Sequence, residues 1–464
     1  MSAHFAQAEA AFHEGNQCME AGDAEGAAAS FRRALGFAPG FAEALANLGY
    51  LYELSGAVAD AEVCYRQAIA SSPDCIQVYL NLGVLLMNRK RFADAETIYR
   101  QALAVAPDSS AVWSSLGVLL ACAKREDEAE RCYRTALALD STDEKARFNL
   151  GYVLLRQGRF EEGWHCLEAR TNHALLRQQA FFACPRWQGE PLAGKSIVVG
   201  FEAGHGDMIQ FCRYTAVLKR MGATRVTVVC HPGLKTLFAS LPGADEVLSF
   251  QDAVPSSGWD FWTLPMSLPH HCRTHLLDDI PAAIPYLAAE PERVAHWSHL
   301  LPEGQPRVGL VWKGNAHFEN DAERSLPCLD ALAPLATVTG VQYVSLQKGP
   351  GEQEAEQPPT GLPLLPLGAA LQDFADTAAL VTNLDLVISV DTAVAHLAGA
   401  LGKPCWVLLP DYRTDWRWLT GRSDTPWYPE QMRLFRQPPG GDWAEVVADV
   451  TRALQQWAPL QRSA

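Results

Sequence analysis

Strong positive charge, long apolar runs and paired cysteine motifs are all missing from this 464-residue chain. Its 38 Lys+Arg stand against 53 Asp+Glu, a net charge of −15. That balance argues against a nonspecific binder of nucleic acid or acidic membrane, so any phosphate site must be a local exception. No run of about 18 apolar residues occurs, which predicts no membrane-spanning helix. The first residues, MSAHFAQAEAAFHEGNQ, lack the basic and apolar segments of a secretory signal. The 12 cysteines are dispersed, with no CxxC pair and no finger-like spacing. Such usage predicts reduced, buried thiols in a cytoplasmic protein. The chain has no GxSxG nucleophile elbow and no GxxxxGK[ST] loop, so hydrolase and P-loop readings fall away. What is present is ordinary globular composition, 48% hydrophobic and 20% charged, with 34 glycines and much alanine. The length suits about three domains.

The first third repeats. Gly15, Gly49, Gly83, Gly117 and Gly151 stand at one constant spacing of 34 residues. Around the middle three, Leu48, Leu82 and Leu116 precede the glycine. Ala61, Ala95 and Ala129 follow it, then Tyr65, Tyr99 and Tyr133, then Ala68, Ala102 and Ala136. Pro39, Pro73 and Pro107 close the first three units. Period and frame match the tetratricopeptide (TPR) pattern, in which small residues let two antiparallel helices touch and large ones fill the gaps. The expectation is a TPR α-solenoid of about five repeats over residues 1–170, whose groove takes a protein or peptide. A plain spacer or dimerisation arm is the alternative.

A Pro-, Gly- and Trp-bearing linker is expected over 171–194. Apolar, β-branched runs then alternate with helical segments. Strands are expected at Lys195–Gly200, Arg225–Cys230, Glu246–Phe250 and Trp259–Leu264 in one lobe. In a second lobe they fall at Arg307–Trp312, Val341–Leu346, Asp385–Val390 and Pro404–Leu409. Continuous apolar strands imply buried parallel sheets. The spacing predicts helices over Met208–Met221 and Thr392–Leu401. This gives an α+α/β multidomain fold, with Rossmann-like lobes over 195–306 and 307–442 and an amphipathic closing helix over 443–464. A ligand cleft belongs at the strand C-terminal ends.

Three segments carry candidate chemistry. Gly204-His205-Gly206-Asp207 lies between a strand and a helix, where the glycines permit a tight turn and Asp207 either caps the helix or acts at the cleft. It lacks the third glycine of a dinucleotide fingerprint. Asp391-Thr392-Ala393, with His396 one turn on, also lies between strand and helix, where free N–H groups suit a pyrophosphate. Lys313, Asn315, Gln347 and Lys348 follow two strand ends, with Arg324 and Lys403 as further local cations for a diphosphate. His270, His271, Cys272 and His275 resemble a metal cluster but show no fourth ligand, so no metal is expected.

The segments Glu202–Tyr214, Arg307–Asn315, Asp391–Gly399 and Asp415–Trp418 with Ser423–Tyr428 resemble bacterial TPR-linked glycosyltransferases. These are related to the heptosyltransferase-like family 9 of GT-B glycosyltransferases, and the tandem architecture is similar to O-GlcNAc transferase. The resemblance implies an inverting, metal-independent transfer from a nucleotide-sugar donor, with no other cofactor. By resemblance Asp207 is the base and Lys313 assists the leaving diphosphate. Gly204, His205, Gly206, Asn315, Gln347, Lys348, Asp391, Thr392, Ala393 and His396 line the donor site. Ala393 replaces the glycine usual in heptosyltransferases and narrows that turn. The implied acceptor is a protein such as flagellin or another surface protein, or else a glycan of lipopolysaccharide type. A non-catalytic scaffold with a degenerate nucleotide-sugar-binding domain is the remaining alternative. The oligomeric state is left open.

Overall fold

The computed structural model describes residues 3–172 and 182–461. Part of the expected linker, residues 173–181, and the last three residues of the expected closing helix lie outside the described residues. The chain divides into two compact units, Met1–Val153 and Leu154–Ala464.

The repeat becomes helices in pairs. These are α1 (Ala3–Glu20), α2 (Ala24–Phe37), α3 (Ala42–Leu54), α4 (Val58–Ser71), α5 (Ile76–Asn88), α6 (Phe92–Val105), α7 (Ser110–Cys122), α8 (Glu126–Leu139), α9 (Glu144–Arg156) and α10 (Phe160–Leu167). Together they form a TPR-like solenoid. The glycines mark where paired helices touch. A Cβ built on Gly49, Gly83 or Gly117 would stand 2.8, 2.3 or 2.7 Å from the ring of Tyr65, Tyr99 or Tyr133. Gly15 meets Phe31 in the same way. All four rings are buried. The turn inside each pair is a second periodic demand. Gly22, Gly56, Lys90 and Lys124, again at the 34-residue spacing, all have positive φ. The next residue's N–H then bonds back to a carbonyl in the preceding helix, as in Asp23 N→Cys18 O and Arg91 N→Leu86 O. Ion pairs join successive repeats at one register: Arg91 to Glu62 at 2.7 Å and Arg125 to Glu96 at 2.6 Å.

In the second unit the apolar runs form two parallel sheets. β1 (Ser196–Val199), β2 (Arg225–Cys230), β3 (Glu246–Ser249) and β4 (Phe261–Thr263) take the order β3-β2-β1-β4. β5 (Arg307–Val311), β6 (Gln342–Ser345), β7 (Leu364–Leu365), β8 (Leu386–Val390), β9 (Cys405–Leu409) and β10 (Met432–Arg436) take the order β10-β9-β8-β5-β6-β7. Counted within the lobe this is 3-2-1-4-5-6, the doubly wound order that opens a crevice where the winding reverses. Two strands, both edges of the six-stranded sheet, escape the sequence reading. β7 has two residues, set between Pro363 and Pro366, and β10 carries arginines at Arg433 and Arg436.

The helix expected over Met208–Met221 begins earlier and is broken. α11 (His205–Phe211) passes through a 3₁₀ turn, Cys212–Tyr214, into α12 (Thr215–Arg220). The second lobe has α13 (Pro291–Ser298), α14 (Phe374–Thr382), α15 (Ala393–Ala400) and α16 (Trp443–Gln461). Val446, Val447, Val450 and Leu454 of α16 join the core of the six-stranded sheet with Val308, Tyr343 and Trp406.

α10 and the chain after it are fixed within this second unit. Trp164 is buried, donates to Thr274 O at 2.9 Å and meets Trp416 edge-on at 5.2 Å. Arg170, also buried, binds Glu202 at 2.6 Å, Glu168 at 2.8 Å and Ser267 at 2.9 Å. These partners satisfy its guanidinium away from water.

Candidate functional site between the two sheets

β1 ends in a turn whose Ala203 takes a positive φ of 55°. Glu202 turns back toward Arg170. Gly204 caps α11, and its N–H donates to Asp207 Oδ2 at 2.9 Å. Asp207 therefore fulfils the capping role as well as facing the second lobe. His205 stacks on Phe374 at 5.1 Å and lies 4.5 Å from His231. Burial, with His231 beside it, brings its pKa down to about 4, so the ring is neutral at pH 7.

β8 is buried along its length and delivers Asp391 and Thr392 to its C-terminal end. Thr392 is the N-cap of α15, its hydroxyl 3.0 Å from Ser389 Oγ. The first N–H groups of a helix have no intrahelical partner and attract an anion. Ala393 opens that turn against Gly206: a Cβ on Gly206 would lie 3.4 Å from Ala393 Cα. His396 is buried, stacks on Trp418 at 5.3 Å and places Nδ1 3.0 Å from the Tyr428 hydroxyl. Burial first, then Arg417 and Arg213, hold it far below the usual imidazole range and therefore neutral. Asp391 is hemmed in by protein while keeping an edge toward solvent. Burial and the neighbouring Asp415 push its pKa up to about 6, against the Trp418 indole, Arg417 and Arg324.

Arg417 ties α11 of the first lobe to the Asp415 loop of the second. It reaches Asp207 Oδ1 at 2.5 Å, Gln210 Oε1 at 2.7 Å and Asp415 at 2.8 Å. Its guanidinium lies 4.7 Å from the Trp416 ring centre. Trp416, Trp418, Trp427 and Tyr428 are all fully buried, so the loop that presents Arg417 is anchored on both sides. The sequence reading used the segments that hold Gln210, Asp415 and Arg417 for the resemblance but gave these residues no role in the site. The signal was present in Asp415-Trp-Arg-Trp418, where one cation is set between two indoles.

Four further candidates follow the ends of β5 and β6, each with at least one polar atom already engaged. Lys313 Nζ binds Glu354 at 2.6 Å, and the same carboxylate accepts from Trp312 Nε1 and Leu329 N. Gln347 is buried and accepts from Trp312 N and Lys313 N while donating to Lys313 O and Pro350 O. Those four bonds use the whole carboxamide, so Gln347 staples strand ends. Asn315 Oδ1 accepts from His317 N, and Lys348 Nζ donates to Ala369 O. Lys403 binds Leu384 O, at the opposite end of β8 from Asp391. Arg324 does come to the site: it pairs with Asp321 at 3.1 Å, and its charge acts on Asp391. Among the described residues no group of three or more His, Cys, Asp or Glu could hold a metal ion. No described helix is long and apolar enough to cross a membrane.

Comparison with known proteins gives two family matches. Residues 3–183 match the cilia and flagella-associated protein 70 C-terminal domain, a TPR family. Residues 352–408 match glycosyltransferase family 9 (heptosyltransferase), a segment that includes β8, Asp391, Thr392 and His396. Protein FlbA of Caulobacter vibrioides is 29% identical over 328 residues, covering 65% of this chain and 53% of its own length. The chain thus spans about half the length of that curated relative. Among solved structures, MamA from Desulfovibrio magneticus is 17% identical, with a TM-score of 0.32 over 37% of this chain and 96% of its own. Pseudomonas aeruginosa pilF is 23% identical, with a TM-score of 0.33 over 38% of this chain and 78% of its own. The chain thus combines a TPR-like helical region with a two-sheet region, of which residues 352–408 are similar to glycosyltransferase family 9 (heptosyltransferase).

Proposed function

We propose that the chain moves a sugar from a nucleotide-activated donor to an acceptor hydroxyl, with inversion, on a protein recruited by the TPR-like array. The observation that carries this reading is the meeting of Asp207 on α11 with the start of α15 across Gly206 and Ala393. A carboxylate that can take a proton there faces a helix N-terminus suited to phosphate. An acceptor hydroxyl is a weak nucleophile at neutral pH. In the reaction its oxygen forms a bond to the sugar C1 while its proton passes to Asp207. The bond from C1 to the diphosphate oxygen breaks, and that oxygen keeps the electron pair. Thr392, the N–H groups of Ala393 and Val394, Arg417 and Arg324 balance the growing charge. In this reading the two arginines take the part first given to Lys313. The pair of doubly wound sheets supports a GT-B arrangement, with the acceptor on the four-stranded lobe and the donor on the six-stranded lobe.

A second reading has a specific observation in its favour. Asp207 already holds Arg417, and Lys313 already holds Glu354, as in a lobe that binds a nucleotide sugar without turning it over. Titrating the full chain with UDP-, GDP-, dTDP- and ADP-sugars, followed by mass analysis of candidate acceptor proteins, separates the two. Transfer is expected with one donor, and Asp207→Asn is expected to abolish it while donor binding persists. Binding without any product would favour the sensor. No binding of any donor would remove both readings.

A further inference from the structure

We infer that Arg417 is a switch between the base and the donor: it holds Asp207 until a donor diphosphate claims it, and its transfer frees the oxygen that receives the acceptor proton. The inference rests on the transferase reading above. Its starting point is that the two oxygens of Asp207 are both bonded, Oδ2 by Gly204 N at 2.9 Å and Oδ1 by Arg417 Nη2 at 2.5 Å. The first bond belongs to the helix cap and persists as long as α11 does. The second crosses from one lobe to the other, and it occupies the oxygen that faces the second lobe.

Arg417 is held in a way that suits exchange. Its three nitrogens go to three different groups, Asp207, Gln210 and Asp415. Its shortest bond to a carboxylate, to Asp207, is made by a single nitrogen. A diphosphate offers a two-pronged grip, and guanidinium groups favour it. The place where a diphosphate is expected is also adjacent. Asp207 follows Gly206, and a Cβ on Gly206 would lie 3.6 Å from Ala393 N at the start of α15.

Gln210 supplies an independent observation. It is fully buried, its Oε1 accepts from Arg417, and its Nε2 has no hydrogen-bond partner. A buried amide group left unbonded costs free energy and calls for a physical reason. Gln210 sits one turn after Asp207 on α11, on the same face. When Arg417 moves to the diphosphate, the Gln210 carboxamide is released as well, and its N–H₂ is placed to bond the group that takes Arg417's position. An acceptor hydroxyl oxygen approaching Asp207 is that group. The order follows: donor first, then acceptor. A base exposed only after the donor has bound also spares the donor from premature attack by water.

The test reads donor affinity, which needs no turnover. Full-length parent, Asp207→Asn, Arg417→Gln and the double variant are titrated calorimetrically with UDP, GDP, dTDP and ADP and with their sugars. Thermal unfolding and circular dichroism of each variant establish that it is folded, and Arg417→Met, which also removes the charge, takes its place should Arg417→Gln fail to fold. If Arg417 is shared, removing the Asp207 charge liberates it. Asp207→Asn then binds the diphosphate more tightly than the parent, by roughly fivefold or more. In the Arg417→Gln background the same change has no effect on affinity. Equal or weaker binding by Asp207→Asn would overturn the switch, and so would a gain that persists without Arg417. Failure of the parent to bind any of these nucleotides would instead remove the transferase reading on which the switch stands.

Discussion

Gly206 of the four-stranded lobe rests against His396 of the six-stranded lobe: a Cβ at position 206 would come within 3.0 Å of His396 Cδ2. His396 has little room to yield, since Trp418 stacks on it and Tyr428 bonds its Nδ1. The φ of Gly206 is not positive, so an added methyl acts through contact alone. Gly206→Ala is expected to lower stability by about 1–3 kcal/mol, as overpacking does. It should weaken nucleotide binding further by pushing α11 from α15. Gly204→Ala is the control, because its nearest contact is Asp207 Oδ2 at 3.4 Å. Chemical denaturation and nucleotide titration of both variants check this, and equal behaviour of the two would refute it.

In the repeat array the sharpest contact is at Gly83, where a Cβ would stand 2.3 Å from Tyr99 Cε1. Gly83→Ala is expected to destabilise the array by about 1–3 kcal/mol. Tyr99→Leu in the same chain should recover part of that loss, since it removes the ring the methyl strikes. A double-mutant cycle by urea denaturation measures the coupling, and strictly additive effects would count against this packing.

Lys90 and Lys124 occupy turns with φ of 57° and 60°, at the period where Gly22 and Gly56 stand. A side chain in the left-handed region costs about 1–2 kcal/mol, and glycine offsets this with a larger loss of unfolded-state entropy. The net expectation is that Lys90→Gly and Lys124→Gly each stabilise the array by about 0.5–1 kcal/mol. The reverse change, Gly56→Ala at φ 79°, should destabilise it. A lower denaturation midpoint for either lysine variant would contradict the strain argument.

Burial and the neighbouring Asp415 push the Asp391 carboxyl up from its ordinary 3.8 to about 6. Between those values the folded state binds the proton more readily. This residue therefore favours folding at low pH, and that contribution is lost as pH rises through about 6. Asp391→Asn should match the parent near pH 4 and exceed it in stability at pH 7.5. His205, held near 4, works in the opposite direction, but it is common to both chains and cancels in the comparison. The charge of Asp391 also opposes a diphosphate, so parental donor affinity should rise as pH falls from 7.5 to 5.5, with a flatter profile in Asp391→Asn. Denaturation curves and titrations at both pH values test the two statements together.

Much of the architecture was legible because it is written locally. The spacing of glycines and tyrosines specified the helix pairs, since each pair brings one small residue against one large ring. Apolar runs specified eight of the ten described strands, since a parallel sheet buries both faces of its interior strands. β7 and β10 were not legible: two residues between prolines leave almost no pattern, and Arg433 and Arg436 interrupt the apolar run of β10. Asp207 and Thr392 were legible as helix starts for the same local reason.

The composition of the site depended on contacts between distant parts of the chain. Arg417 lies 210 residues from Asp207, and no period links them. Lys313 and Gln347 looked available at strand ends, yet a carboxylate at Glu354 and the peptide groups of Trp312 and Lys313 occupy them. The sequence by itself determined a repeat array, two parallel sheets and the helix starts that face the cleft, because periodicity, apolar runs and caps act within a few residues. Which charges meet in that cleft was decided only in the tertiary structure, because an ion pair forms between whatever groups the packing brings within reach.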